Sequence, residues 1–348
     1  AGLLGLRQSL TQARQHRRAK AAPARAAAPQ KNMHRKAAIA RGGAVDHAGR
    51  VTFVQDPDFD LSATIFKGMK GLARMKTQRR LSWAPVWTDD AADEILREDA
   101  AVPAAPLVDR ALLDFMQSRC NFLVEHADGS FMDHLAFCHD YCAAHYSEQS
   151  PRVMLLHSIM GVGTNIFPME ASRIPELASL ISPDEMRHVE SFPSVLRLLV
   201  CQSLCDELWR HGASLGRLRS VEFWRVLDNK KLVLDAEDFW VQMNYQLVHL
   251  VDFVPVADWT GGDPTPLFQV FLRLYRLLSR AGQLRARVDL RTAAGRRLDA
   301  GEVEACARAS DSGLVAFVER LGAKRTVTTF SKEVGHSLEY KVNWAASL

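Results

Sequence analysis

Residues 131–164 read FMDHLAFCHDYCAAHYSEQSPRVMLLHSIMGVGT. Two helices are legible in this stretch. The first runs from about Ser130, a candidate N-cap, to Gln149, with Asp133 in its first turn. The second is opened by Pro151 and closed by Gly161. Four histidines and two cysteines fall within it. His134, Cys138, Cys142 and His145 share one helical face. They span about 16 Å at about 1.5 Å rise per residue, so at most one i, i+4 pair among them can share an ion. Along most of that stripe the cysteines read as small apolar core residues. His139 and His145 read as surface residues beside Asp140 and Glu148. A short loop makes the two helices antiparallel neighbours, which brings His134 and His157 face to face. His157 lies among Met154, Leu155, Leu156, Ile159 and Met160, and a buried imidazole needs a metal, a carboxylate or a backbone partner.

Working outward, the pattern stays helical. LVDRALLDFMQSRCNFLVEH (107–126) keeps a 3.6-residue apolar period. PELASLISPDEMRHVE (175–190) reads as two short helices, the second capped by Ser182. FPSVLRLLVCQSLCDELWRHG (192–212) reads as one long helix. DAEDFWVQMNYQLVHLVDFVP (235–255) begins at Asp235 and carries His249 in apolar surroundings. DPTPLFQVFLRLYRLLSRAG (263–282) follows, and then two shorter helices near 299–309 and 311–321. The tail KRTVTTFSKEVGHSLEYKVNW (324–344) alternates, as a hairpin or extended arm would. The expectation is an all-α bundle of seven to nine helices with short loops. His134, His157 and His249, on three separate helices, are its candidate metal ligands.

Composition limits the function. The chain has 348 residues, 47% of them hydrophobic, enough for a sizeable core. Its net charge of +4 is uneven: up to Arg50 there are eleven Lys/Arg and a single acid, Asp46. The remainder is mildly acidic, which argues against a nucleic-acid-binding body. Residues 1–43 have the composition of an organelle transit peptide, for a mitochondrion or a plastid, or of a disordered basic tail. In the second case the compartment is the cytoplasm. Residues 44–106 read as a connecting region with short helices and a short strand at VTFV. The helical domain covers 107–260, and 261–348 form a C-terminal helical extension, a candidate lid or homo-oligomer surface. No apolar run approaches the roughly 20 residues of a membrane-spanning helix. Six cysteines without a CxxC pair suit a reducing compartment.

Three separated motifs carry a resemblance over about residues 107–256. HADGSFMDHL supplies His126, Asp133 and His134; LLHSIMGVGTNIF supplies His157, Ser158, Gly163, Thr164 and Phe167; VHLVDF supplies His249 and Asp252. In this order they resemble an uncharacterised family of HD-like domains, degenerate relatives of the all-α, metal-dependent HD phosphohydrolases. The resemblance implies an HD-like bundle and hydrolysis of a phosphoester or another small polar substrate. One divalent ion, zinc or iron, would sit on His134, His157 and His249. Asp133, Ser158 and Asp252 would take catalytic roles, and His126, Thr164 and Asn165 would contact substrate. The sequence departs from the HD pattern at Ser158, which stands where the metal-bridging aspartate belongs, so a dinuclear site is not expected. The alternative is a non-catalytic helical protein that binds a small molecule or a partner in an inherited pocket.

Overall fold

The computed structural model describes residues 43–45, 51–53, 106, 108–120, 125–126, 129–161, 167–251, 266–288 and 296–346; for 43–45, 51–53, 125–126 and 129–133 only the backbone is described. The architecture is mostly helical, with a three-stranded antiparallel sheet on one side. In chain order the elements are β1 (Gly43–Val45), β2 (Val51–Phe53), α1 (Arg110–Arg119), β3 (Glu125–His126), β4 (Gly129–Ser130), α2 (Phe131–His145), α3 (Pro151–Leu156), α4 (Ile174–Leu180), α5 (Pro183–Val200), α6 (Ser203–Arg210), β5 (Leu218–Trp224), β6 (Lys231–Asp235), α7 (Ala236–Val251), α8 (Pro266–Ala281), α9 (Ala300–Asp311), α10 (Gly313–Val334) and β7 (Lys341–Trp344). The strand expected at VTFV pairs with β1, in register Ala44↔Thr52.

The sheet corrects the all-α expectation. Its order is β6-β5-β7. In β6, KLVLD alternates exposed and buried residues, the period-2 pattern of a half-buried strand. The β5–β6 connection is closed by Asn229 in the left-handed region, at φ 59°. Asn229 N–H donates to the Arg225 carbonyl at 2.8 Å. The strand signal was present in VEFW and KLVLD, flanked by a turn-forming Asp-Asn, but it lay between two strong helical patterns.

Several boundaries also move. α1 stops at Arg119 instead of running to 126. α5 starts at Ser182, whose side chain forms a capping box with Glu185, and continues through Pro193. The helix expected at 192–212 breaks after Val200. Gln202 takes φ 62°, and α6 starts afresh at Ser203. The tail from Lys324 is not a hairpin: α10 runs to Val334, where Gly335 ends it at φ 70°, and only Lys341–Trp344 is strand. There tertiary burial outweighs the strand preference of the Thr-Val-Thr-Thr run. His139 is buried rather than superficial, with Nδ1 2.9 Å from Asp140 Oδ1.

The core lies where α2, α3, α5, α7 and α8 meet. Buried polar side chains bind its parts together. Asn244, in the middle of α7, is fully buried. Its Nδ2 donates to the carbonyls of Trp240 and Gln283, both at 2.8 Å. Its Oδ1 accepts from the N–H groups of Arg285 and Ala286, both at 2.9 Å. One side chain thereby pins the segment after α8 against α7. A second network joins α10 to the sheet. Arg197 donates to Ser331 Oγ at 3.1 Å, Ser331 Oγ lies 3.4 Å from His336 Nδ1, and His336 Nε2 donates to the Trp224 carbonyl at 2.8 Å.

Asn244→Leu is expected to destabilise the protein by about 2–4 kcal/mol, because it strips partners from buried backbone groups without adding any. The shift of a denaturant midpoint at unchanged slope would show it. Burial, with the nearby Arg197 charge, holds His336 down from 6.5 to about 3. The folded state therefore resists a proton that the unfolded chain accepts. The contribution of His336 to stability is complete above about pH 6.5 and is lost as pH falls toward 3. His336→Gln should flatten the fall of stability between these pH values, as read from urea titrations.

Candidate metal centre

Two turns of the chain build the cluster. On α2, His134 and Cys138 are one helical turn apart and face inward with Leu135 and Cys142. On α3 the helix stops earlier than its apolar pattern suggests. His157 is its C-cap, and residues 157–160 form a turn ending at Gly161 with φ 121°. His157 Nδ1 lies 2.6 Å from the Met154 carbonyl. A carbonyl only accepts, so Nδ1 carries the proton and Nε2 presents its lone pair. That lone pair faces α2: His157 Nε2 is 3.2 Å from His134 Nε2. Cys138 Sγ is 3.8 Å from His134 Nδ1 and 3.9 Å from His134 Nε2. One donor atom from each of His134, Cys138 and His157 lies within 4.8 Å of the others, and all three residues are buried.

These spacings suit a shared ion. With metal–nitrogen bonds of about 2.0 Å and a metal–sulfur bond of about 2.3 Å, a tetrahedral site has edges of about 3.3 Å for N–N and 3.6 Å for N–S. Measured from the one nitrogen His134 Nε2, the 3.2 Å distance to His157 Nε2 and the 3.9 Å distance to Cys138 Sγ each depart from these edges by only a few tenths of an ångström. His249, from α7, completes the surroundings. Its ring centroid is 5.1 Å from that of His134 and 4.7 Å from that of His157. Phe192 of α5 packs over His157 and His249 at 4.7 and 5.3 Å. Burial pushes the His134 pKa from 6.5 down to about 3. The imidazole is therefore neutral at physiological pH, the form that binds a metal. His157 also has the backbone hydrogen bond on its far nitrogen that fixes a ligating imidazole in tautomer and direction.

Of the residues expected at the site, the structure brings His134, His157 and His249 together. Ser158 is buried beside His157, and its carbonyl accepts the Gly161 N–H at 3.1 Å. Asp133 lies in the first turn of α2 and His126 in β3, and the side chains of both lie outside the described residues, as do Thr164, Asn165 and Asp252 altogether. Cys138 was read from the sequence as core, and it is core, with no exposed surface. It is also the third converging donor. The signal was the i, i+4 spacing to His134, the one arrangement on that stripe that can share an ion. What the sequence left open was whether Cys138, as well as His134, comes within reach of the facing His157.

No family model, curated protein or solved structure matches this chain.

With cobalt(II) as a spectroscopic probe, the protein is expected to develop a thiolate-to-cobalt charge-transfer band in the near ultraviolet. Cys138→Ser should abolish the band, and His157→Ala should weaken cobalt binding, as read by absorbance titration.

Proposed function

We propose that this chain is an HD-like, metal-dependent hydrolase domain with a single ion held by His134, Cys138 and His157, with the His249 ring beside them. The observation that carries the reading is the approach of His134 Nε2 to His157 Nε2 at 3.2 Å inside a core where both rings are buried. Two neutral imidazole edges facing each other across that gap are placed as ligands of a common cation would be. The motif order HADGSFMDHL, LLHSIMG, VHLVDF supports the HD-like assignment.

The donor set of nitrogen and sulfur favours zinc or ferrous iron over magnesium or calcium, which prefer oxygen ligands. When bound, a divalent ion supplies Lewis acidity for hydrolysis of a phosphoester or similar small polar substrate. The chain would contribute the rest. Met154 holds the His157 ring in register. Asp133 or Asp252 would orient an imidazole or accept a proton, and Ser158, Thr164, Asn165 and His126 would hydrogen-bond the substrate. A second reading, a non-catalytic metal-stabilised or ligand-binding bundle, is favoured by one observation. His134, Cys138, His157 and His249 are at most 6% exposed, and structural metal sites are closed in this way.

Elemental analysis of the purified full chain is expected to show about one zinc or iron per chain, lost in His157→Ala. A screen of phosphomonoesters and nucleotides on the loaded protein separates the readings. Turnover that disappears with His134→Ala supports the hydrolase. Bound metal without turnover, together with a large loss of thermal stability on chelation, supports the structural centre. An absence of metal from a folded wild-type protein would sink the hydrolase and the structural metal centre, and would leave a metal-free binding bundle.

A further inference from the structure

The last long helix has an outer face that the fold does not use. In α10 the exposed residues, apart from Gly313 at its start, are Leu314, Phe317, Val318, Leu321, Lys324, Arg325, Thr328 and Lys332. At about 100° per residue these fall on a single stripe about 120° wide along the whole helix. The first half of the stripe is apolar: Leu314 is 77% exposed, Phe317 50%, Leu321 51% and Val318 40%. The second half carries three cations. The acids of α10, Glu319 and Glu333, are both buried on the opposite side. Among the described residues of α10, the outer face has no carboxylate.

We propose that this face of α10 docks on an anionic lipid surface. Leu314, Phe317, Val318 and Leu321 would enter the boundary between headgroups and acyl chains, and Lys324, Arg325 and Lys332 would meet the lipid charge. An amphipathic helix binds a membrane surface by this combination of apolar burial and cation attraction. A second copy of this chain fits less well. Two such faces meeting about a two-fold axis would bring cations toward a surface that offers no carboxylate. The four apolar side chains of one copy also expose only a few hundred Å², short of the roughly 600 Å² per partner of a small stable interface. The charge of the chain points the same way. β1, which begins at Gly43, packs against α10. The sequence up to Arg50 holds eleven Lys/Arg against one acid, so the strand that packs against α10 belongs to a strongly basic stretch of sequence.

The test is co-sedimentation of the full chain with vesicles of phosphatidylcholine alone and of phosphatidylcholine with phosphatidylserine. Wild type is expected to bind the phosphatidylserine vesicles, more weakly at high salt, and to leave the neutral ones. Phe317→Glu with Leu321→Glu should reduce binding about tenfold or more, and so should Lys324→Glu with Arg325→Glu. Both pairs lie on exposed positions, and an unchanged circular-dichroism melt confirms that they fold. Several results would overturn the proposal. One is no binding by wild type, and another is equal binding to neutral vesicles. A third is undiminished binding by both variants, which would assign the affinity to the basic N-terminal sequence. A fourth is a wild-type dimer in light scattering that becomes monomeric in Phe317→Glu with Leu321→Glu, which would make the face a contact between copies.

Discussion

The hydrogen bond from His157 Nδ1 to the Met154 carbonyl, at 2.6 Å, organises the middle of this protein. It arises at the end of α3, where the last carbonyls have lost their helical partners and need donors. The imidazole supplies one, so the helix ends at Leu156 and the chain turns toward Gly161. The same bond decides which nitrogen of His157 is basic. That nitrogen points across the bundle at α2, and the relation of His134, Cys138 and His249 to His157 follows from it.

Buried polar side chains tie distant parts of this core together. Asn244 uses its amide to bind four backbone groups from three places in the chain. Arg197, Ser331 and His336 form a chain of polar contacts from the last turn of α5 to the end of β5. These contacts join elements far apart in sequence, and they explain why the C-terminal extension is integral to the fold rather than an appendage. α10 reaches the centre of the molecule through Ser331, and β7 completes the sheet against β5. The outer stripe of α10 stands apart, apolar in its first half and cationic in its second, where the opposite side of the helix is buried.

Much of the helical architecture could be read directly. Ser182 before Pro183, Asp235 before the apolar run of α7, and Gly282 after α8 each marked a boundary that the structure keeps. The misreadings have local causes. The β5–β6 hairpin was masked by its helical neighbours. The break at Gln202 leaves no Gly or Pro to reveal it, because a left-handed glutamine is chosen by the packing of α6 and not by its own preference. Lys324–Val334 has strand-like residues yet is helix, since its inward positions Thr326, Val327, Phe330 and Ser331 are buried at helical spacing.

The sequence by itself determined the class of the protein, mostly helical with a basic N-terminal stretch. Apolar periodicity also pointed to inward-facing His134, His157 and His249, whose rings pack together, although the converging donor atoms are those of His134, Cys138 and His157. The sequence could not determine that Cys138 joins them. The i, i+4 spacing to His134 permits ligation, but cysteine is equally at home in a core as a small apolar residue, and the spacing alone does not choose between the two. Only the tertiary structure decided it, by setting the turn after α3 against the first turns of α2. Donor atoms act together within a few ångströms, and residues 134 and 157 acquire such a distance only when the chain folds back on itself.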